Sequence, residues 1–473
     1  MACCRSFICI RGFLLVRPRW ENCLSFSSKE TIAAVQGTLH PQKNRQRKRH
    51  KKPNWTGDLS WEERLASVVT PLWRLSYDEQ LEVKQKHQVR ILERLCGGGK
   101  ITFPVLPILP SPVRDGYRNK STFSVNKGVD GNPKTVGFYV GKGKDGNIVC
   151  VNGDHLPNIP EKHKQVARCY QEFIHRSSLE PCLLFHEGGH WREVTVRTNT
   201  AGHTMAVVYF HPQQLTWEEL AVHKSDLTEF FTRGAGSACE LDSLYFQESA
   251  MTRCSHENSP YQLLYGQTHI HEQMLGFSFR ISPDAFFQVN QAAAQVLYSA
   301  VRDLCVPNSE DRTGTLLDVC CGTGAMGITA SPRVQRLVGV ELIEQAVEDA
   351  RYNAALNKLD KCEFIAGKAE AVLPGLVSRL ASGDGRLTAL VNPSRAGLHH
   401  KVIQALRNRP AIHRVVYVSC KPDGEALRNF RELCCAPDPK RNLTGDAFSP
   451  SLAVPVDMFP HTEHCELVIL FER

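Results

Sequence analysis

Two residues near the end of this 473-residue chain have side chains suited to covalent chemistry. Cys420 lies in Val415–Pro422 (VVYVSCKP), where the apolar run Val415–Ser419 reads as a strand and leaves the thiol at its end. Glu466 closes the motif Phe459–Glu466 (FPHTEHCE). A thiol can attack an electrophilic carbon, and a carboxylate can then take the proton that must leave. Upstream, Thr315–Gly327 (TLLDVCCGTGAMG) reads as an apolar strand, a Gly-x-Gly turn and a helix. That arrangement lets backbone pass close beneath a nucleotide-like ligand.

The elements that must position these groups alternate strand and helix, which predicts a doubly wound α/β sheet. Leu316–Cys320 is its first strand. Leu337–Val340 is the second and ends at Glu341, before a helix over Ile343–Asn357. Glu341 stands 23 residues after Asp318, a spacing that suits a pair of ribose hydroxyls; a helix N-terminus would also welcome the charge. Leu387–Val391 leads into Asn392–Leu398 (NPSRAGL), Val415–Ser419 into Cys420, and Glu466–Phe471 closes the sheet. The third glycine of a dinucleotide fingerprint is displaced to Gly327, so nicotinamide and S-adenosylmethionine cofactors both fit the turn. Just before a helix over Gln291–Leu304, Phe277–Asn290 (FSFRISPDAFFQVN) carries Gln288, which alone reads as a surface or capping residue.

The N-terminal half reads differently. Helical patterning runs from Trp61 to a C-capping stretch at Gly97–Gly99. Strands follow over Val113–Ser124, Val136–Val140, Ile148–Val151, Trp191–Val196 and Met205–Phe210. Arg114, Arg118, Lys120, Lys127, Lys134, Lys142 and Lys144 alternate there with Tyr117, Phe123, Phe138 and Tyr139. Cations meet phosphates and aromatic faces meet unstacked bases, so an RNA-facing sheet is one reading and a solvated antiparallel sheet the other.

Composition limits the remaining choices. The net charge of +8 is concentrated at one end: residues 1–52 hold 12 Lys and Arg against 2 acids, leaving 45 against 47 in the rest. Residues 1–20 carry four arginines and no acid among apolar side chains, the pattern of a mitochondrial presequence, and 41–52 (PQKNRQRKRHKK) form a basic linker that either spaces or touches phosphate. No apolar run reaches the roughly 18 residues of a membrane span. The eighteen cysteines include three vicinal pairs and no Cys-x-x-Cys spacing. Reduced thiols and no metal site are expected.

At FFQVN, DVCCGTG, GVE, NPSRAGLH, SCKP and FPHTEHCE, and more loosely at TPLWRLSYDEQL and GYRNKSTF, the chain resembles the RNA uracil-5 methyltransferase family, and within it a mitochondrial eukaryotic homologue. The resemblance implies a C-terminal Rossmann-like S-adenosylmethionine-dependent methyltransferase domain with an N-terminal α+β RNA-recognition region. The expected boundaries are 1–55 for presequence and linker, 56–270 for RNA recognition and 271–473 for catalysis. It implies Cys420 as nucleophile and Glu466 as proton-abstracting base, with Gln288, Cys320, Glu341 and Asn392 at cofactor-binding positions. The product would be 5-methyluridine in tRNA and/or rRNA, made by a monomer in the mitochondrial matrix without membrane or metal. Lys421 and a helix beginning near Asp423 are expected to lower the Cys420 pKa.

Two positions depart from the family pattern. Asn392 replaces the aspartate of Asp-Pro-Pro-Arg, and Lys421 the asparagine of Ser-Cys-Asn-Pro. Losing a carboxylate beside a cationic cofactor predicts weaker binding or slower turnover. The competing class is a non-catalytic RNA-binding homologue; a cytosine-5 methyltransferase would share the thiol chemistry, but the FPHTEHCE carboxylate favours uracil.

Overall fold

Ser60 and Ser76 each begin a helix with a reciprocal capping box, closed by Glu63 and Glu79. The helices are α1 (Trp61–Val69) and α2 (Tyr77–Leu95). What reads in the sequence as one helical stretch is therefore two, divided around Pro71, whose missing N–H cannot continue a helix. Helix α2 gives way to Gly97 and Gly98, both at positive φ. The computed structural model describes residues 59–141, 148–183, 188–249, 259–307, 314–381 and 386–473. The expected presequence, the basic linker, Lys142 and Lys144 lie outside the described residues.

The first sheet contains β1 (Lys120–Asn126), β2 (Thr135–Val140), β3 (Val149–Val151), β4 (Trp191–Thr198), β5 (Thr204–Phe210), β6 (Ser243–Glu248) and β7 (Tyr261–Gly266), in the order β3-β2-β1-β4-β5-β6-β7. Residues 113–119, expected as strand, precede β1 in bends and an isolated bridge. Helices α3 (Glu161–Arg176) and α4 (Trp217–Thr232) join α1 in the core that covers one face of this sheet. Strand periodicity puts Phe123 and Val125 on that face. Phe123 is buried there with Phe138 packed against it at 5.1 Å, and Tyr117 is also buried. Tyr117 and Phe123 therefore cannot stack on bases, which corrects the expectation for these two rings, while Phe138 and Tyr139 are partly buried. On the opposite face of β1, Thr122 bonds Thr195 and Ser124 bonds Glu193.

Met205, Val207, Tyr209 and Tyr245, from β5 and β6, enter a second core with the C-terminal half. A hairpin of β8 (Ile270–Met274) and β9 (Phe277–Ile281) turns through Leu275 and Gly276, both at positive φ. Asn290 caps α5 (Gln291–Cys305). Strands and helices then alternate: β10 (Thr315–Val319), α6 (Ala325–Ala330), β11 (Arg336–Glu341), α7 (Glu344–Leu356), β12 (Cys362–Ala366), α8 (Ala369–Ala381), β13 (Leu387–Val391), α9 (His400–Arg407), β14 (Ile412–Ser419), α10 (Glu425–Cys434), β15 (Ser449–Val456) and β16 (Glu466–Glu472).

The second sheet has the order β12-β11-β10-β13-β14-β16-β15, parallel from β12 to β14, with β16 antiparallel to both neighbours. This is the expected doubly wound sheet. The chain reverses direction of winding between β10 and β13, and the crevice beyond the carboxyl ends of such strands is where ligands bind. No helix among the described residues is long and apolar enough to cross a membrane.

Candidate active site

Four candidate residues stand at the carboxyl edge of the second sheet because each follows or ends a parallel strand. Glu341 ends β11, Cys320 follows β10, Asn392 follows β13 and Cys420 follows β14. The amide of Cys320 donates to Val340 at 2.8 Å and that of Asn392 to Val319 at 3.2 Å, tying both strand ends at the switch point. Cys320 is held at φ +63°, a conformation that non-glycine residues rarely adopt. Gly324 needs its φ of +77° and has no room for a Cβ, which would lie 3.0 Å from the Phe364 ring.

Glu341 performs the backbone service that its position at a helix start suggested. One carboxylate oxygen accepts from the amides of Leu342 at 2.8 Å and Ile343 at 3.1 Å, and the other from Gly322 at 3.0 Å. The acid thereby fixes the Gly-x-Gly turn to the end of β11. Leu342 and Ile343 remain exposed beside it. Asp318, buried within β10, accepts from Gly327 at 3.0 Å and holds the start of α6; burial pushes its carboxyl up to about 7.

A nucleoside-bearing cofactor fits this edge. A Cβ at Gly322 would meet nothing within 4 Å, so the turn presents open backbone, flanked by a carboxylate and two exposed apolar side chains.

Glu466 comes from the antiparallel strand β16. The β14–β16 ladder ends at Ser419 and Leu467, so Cys420 and Glu466 are the next residues beyond its last pair, and the Glu466 charge acts on the Cys420 thiol. Glu466 is buried, and its Oε2 has no hydrogen-bond partner among the described residues. Burial raises its pKa to about 7, against the pull of the Arg395 guanidinium. It can therefore both hold and release a proton near neutrality.

The Cys420 thiol is pushed up, first by burial and then by the Glu466 charge, while a hydrogen bond and charge from Arg395 pull it down. This overturns the expectation of a thiol activated by Lys421 and a helix. Lys421 is exposed, and the helix begins only at Glu425 with Gly424 as an N-cap that offers no side chain. The cation that opposes this rise is Arg395, four residues past the end of β13, whose charge acts on both Cys420 and Glu466. It was legible as the arginine of NPSRAG, although no role was assigned to it. His464, lowered first by burial and then by Arg395, lies in the same neighbourhood.

Gln288 lies on another element, just before α5. It is buried, and its carbonyl accepts from the Asn119 amide at 2.9 Å. Two residues on, the Asn290 side chain donates to the Met458 carbonyl at 3.2 Å. Gln288 thus flanks the segment that leads to Glu466. No group of three or more metal-ligating side chains occurs among the described residues.

A family model described as tRNA (uracil-5-)-methyltransferase matches residues 262–473, which contain this whole edge. The chain is 63% identical over 450 residues to tRNA (uracil-5-)-methyltransferase homolog B of Danio rerio, covering 93% of this chain and 92% of the relative. The chain belongs to the tRNA (uracil-5-)-methyltransferase family. Homolog B of Homo sapiens is 58% identical, with 90% of this chain and 87% of the relative covered. Among solved structures, the Pyrococcus abyssi tRNA (uracil-54, C5)-methyltransferase in complex with S-adenosyl-L-homocysteine superposes with a TM-score of 0.63 at 25% identity, over 85% of this chain and 86% of that one. Membership makes this chain an S-adenosylmethionine-dependent methyltransferase with a Rossmann-like catalytic fold.

Proposed function

We propose that this enzyme methylates carbon 5 of a uracil in structured RNA, tRNA first and rRNA second, through a covalent adduct between Cys420 and carbon 6. The observation that carries the reading is a thiol under the influence of a buried carboxylate that titrates near pH 7, just past the last pair of the β14–β16 ladder at the carboxyl edge of the sheet. Carbon 5 of uracil is too weak a nucleophile to take a methyl group unaided. The Cys420 thiolate adds to carbon 6, and the displaced π electrons make carbon 5 an enolate carbon. S-adenosylmethionine, when bound, supplies the methyl group that carbon 5 accepts. The Glu466 carboxylate then takes the proton on carbon 5; those electrons re-form the double bond, the carbon–sulfur bond breaks and the thiolate is regenerated.

In this reading Arg395 favours the thiolate by charge and hydrogen bond, while Gln288, Cys320, Glu341 and Asn392 border the cofactor. Residues 56–270 present the RNA. The Arg-rich start of the chain supports import into the mitochondrial matrix, and fractionation of cells expressing a tagged full-length chain tests it. The mechanism is tested with tRNA and rRNA transcripts tritiated at carbon 5 of uridine. Tritium release that requires Cys420, with 5-methyluridine as product, is expected. Release by Cys420→Ala at the wild-type rate would remove the covalent step.

A further inference from the structure

The segment that carries Glu466 is held from the far end of the chain. Asp457 follows β15, and its neighbour Val456 is the strand partner of Glu466. Its Oδ1 accepts from Lys84 of α2 at 2.6 Å and from the Phe459 amide at 3.1 Å, while its Oδ2 accepts from the Tyr77 hydroxyl at 2.9 Å. The Lys84 ammonium also donates to the Phe459 carbonyl at 2.9 Å, closing the turn from both sides. One turn earlier on α2, Gln80 accepts from the His461 amide at 2.7 Å. The side chains of Lys84 and Asp457 are both 0% exposed.

We propose that Lys84, Tyr77 and Gln80 are positioning residues that aim the Glu466 carboxylate at carbon 5. This rests on the reading of Glu466 as the base. The Glu466 Oε2 has no hydrogen-bond partner among the described residues to orient it, so its direction follows from the backbone between Val456 and Glu466. That backbone is pinned at Asp457, one residue from the strand partner of Glu466, and again at His461. A buried ion pair is a poor device for stability alone, because desolvating both charges offsets most of their attraction and an apolar pair would hold α2 as well. It does fix geometry, since Asp457 accepts from Lys84, Tyr77 and the Phe459 amide together and only one placement of the turn satisfies all three. Proton removal from carbon 5 needs such aim, while addition of Cys420 to carbon 6 does not depend on this turn.

The test compares the full-length wild type with Lys84→Met, Tyr77→Phe, Gln80→Ala and Glu466→Gln on a uridine-containing tRNA transcript. Methyl incorporation in the first turnover, release of carbon-5 tritium and denaturation-resistant protein–RNA adduct are followed together. Lys84→Met and Tyr77→Phe are expected to methylate at near wild-type rates in the first turnover. Their release should slow tenfold or more, with adduct accumulating as in Glu466→Gln. If Lys84→Met does not fold, Tyr77→Phe, which removes one hydroxyl, decides. Adduct accumulation in Glu466→Gln but in none of the three α2 variants overturns the positioning role alone. First-turnover methylation and release falling in equal proportion also overturns it, leaving a merely structural network. Wild-type release by Glu466→Gln overturns the base and the positioning role with it.

Discussion

Cys420 and Glu466 are the next residues beyond the Ser419–Leu467 pair at the open end of the β14–β16 ladder, and the Glu466 charge acts on the Cys420 thiol. The parallel strand brings the thiol to the ligand-binding edge, and the antiparallel strand is the one that can deliver a carboxylate to the same edge from the opposite direction. The Glu466 charge raises the Cys420 pKa, so the thiolate forms more readily while Glu466 is protonated. In the proposed mechanism, addition uses the thiolate and proton removal the carboxylate, in turn.

The Glu466 carboxyl titrates near 7 when folded and near its ordinary value when unfolded. Between those values the folded state binds the extra proton, so stability falls as pH rises and the penalty is complete above 7. Glu466→Gln removes it. At pH 8 the variant should be more stable than wild type by about 3 kcal/mol, and at pH 4 by nothing. Urea melts at the two pH values check this. Adduct release in the wild type should fall below about pH 7 as the base protonates.

Arg395→Gln removes the hydrogen bond and charge that oppose the raised Cys420 pKa. A hydrogen bond to an ionised group contributes about 1.5–3 kcal/mol. Adduct formation at pH 7.5 should drop about tenfold or more, and the pH–rate curve should move to higher pH. Arg395→Lys should restore part of the rate; an unmoved curve in Arg395→Gln would exclude the role.

Asn392 sits at the switch point beside Cys320, where the family pattern has an acid. Asn392→Asp restores a charge-assisted bond to a cationic cofactor and should tighten S-adenosylmethionine about fivefold, with a smaller gain for the neutral product S-adenosylhomocysteine. Calorimetry with both ligands measures the difference. Equal effects on the two would mean that the sulfonium charge is not felt at this position.

Lys84→Met strands the buried Asp457 charge and should cost about 3–5 kcal/mol of stability. The double variant Lys84→Met, Asp457→Leu should recover most of it. Denaturant unfolding of the two single variants and the double variant gives the coupling directly.

The parallel half of the fold was legible because its strands are buried on both faces and read as unbroken apolar runs. Leu387–Val391 has the same limits in sequence and structure. Ser449–Val456 was not read as a strand: prolines at 450 and 455 argue against a central strand, and it is in fact at the sheet's edge. Tyr117 and Phe123 were read as RNA-facing from composition, while the two-residue period that joins Phe123 to Val125 assigns it to the core. Among site residues, Cys420 and Glu466 were legible from their motifs, but the thiol's electrostatic partner was sought in the adjacent Lys421. Arg395 is a neighbour only in space. Nothing in the sequence connects α2 with Asp457, because no local pattern links residues so far apart.

Lys84 and Asp457 are separated by 373 positions in the chain. Closing so long a loop carries an entropy cost that grows with the logarithm of its length, and most of the second sheet can form on shorter-range contacts before that loop closes. On that count the cofactor edge is expected to assemble before the base is aimed, which pulse-labelling hydrogen exchange during refolding would check. A partly folded molecule would bind a nucleoside ligand yet trap its RNA, so release of product, more than ligand binding, reports that folding is complete.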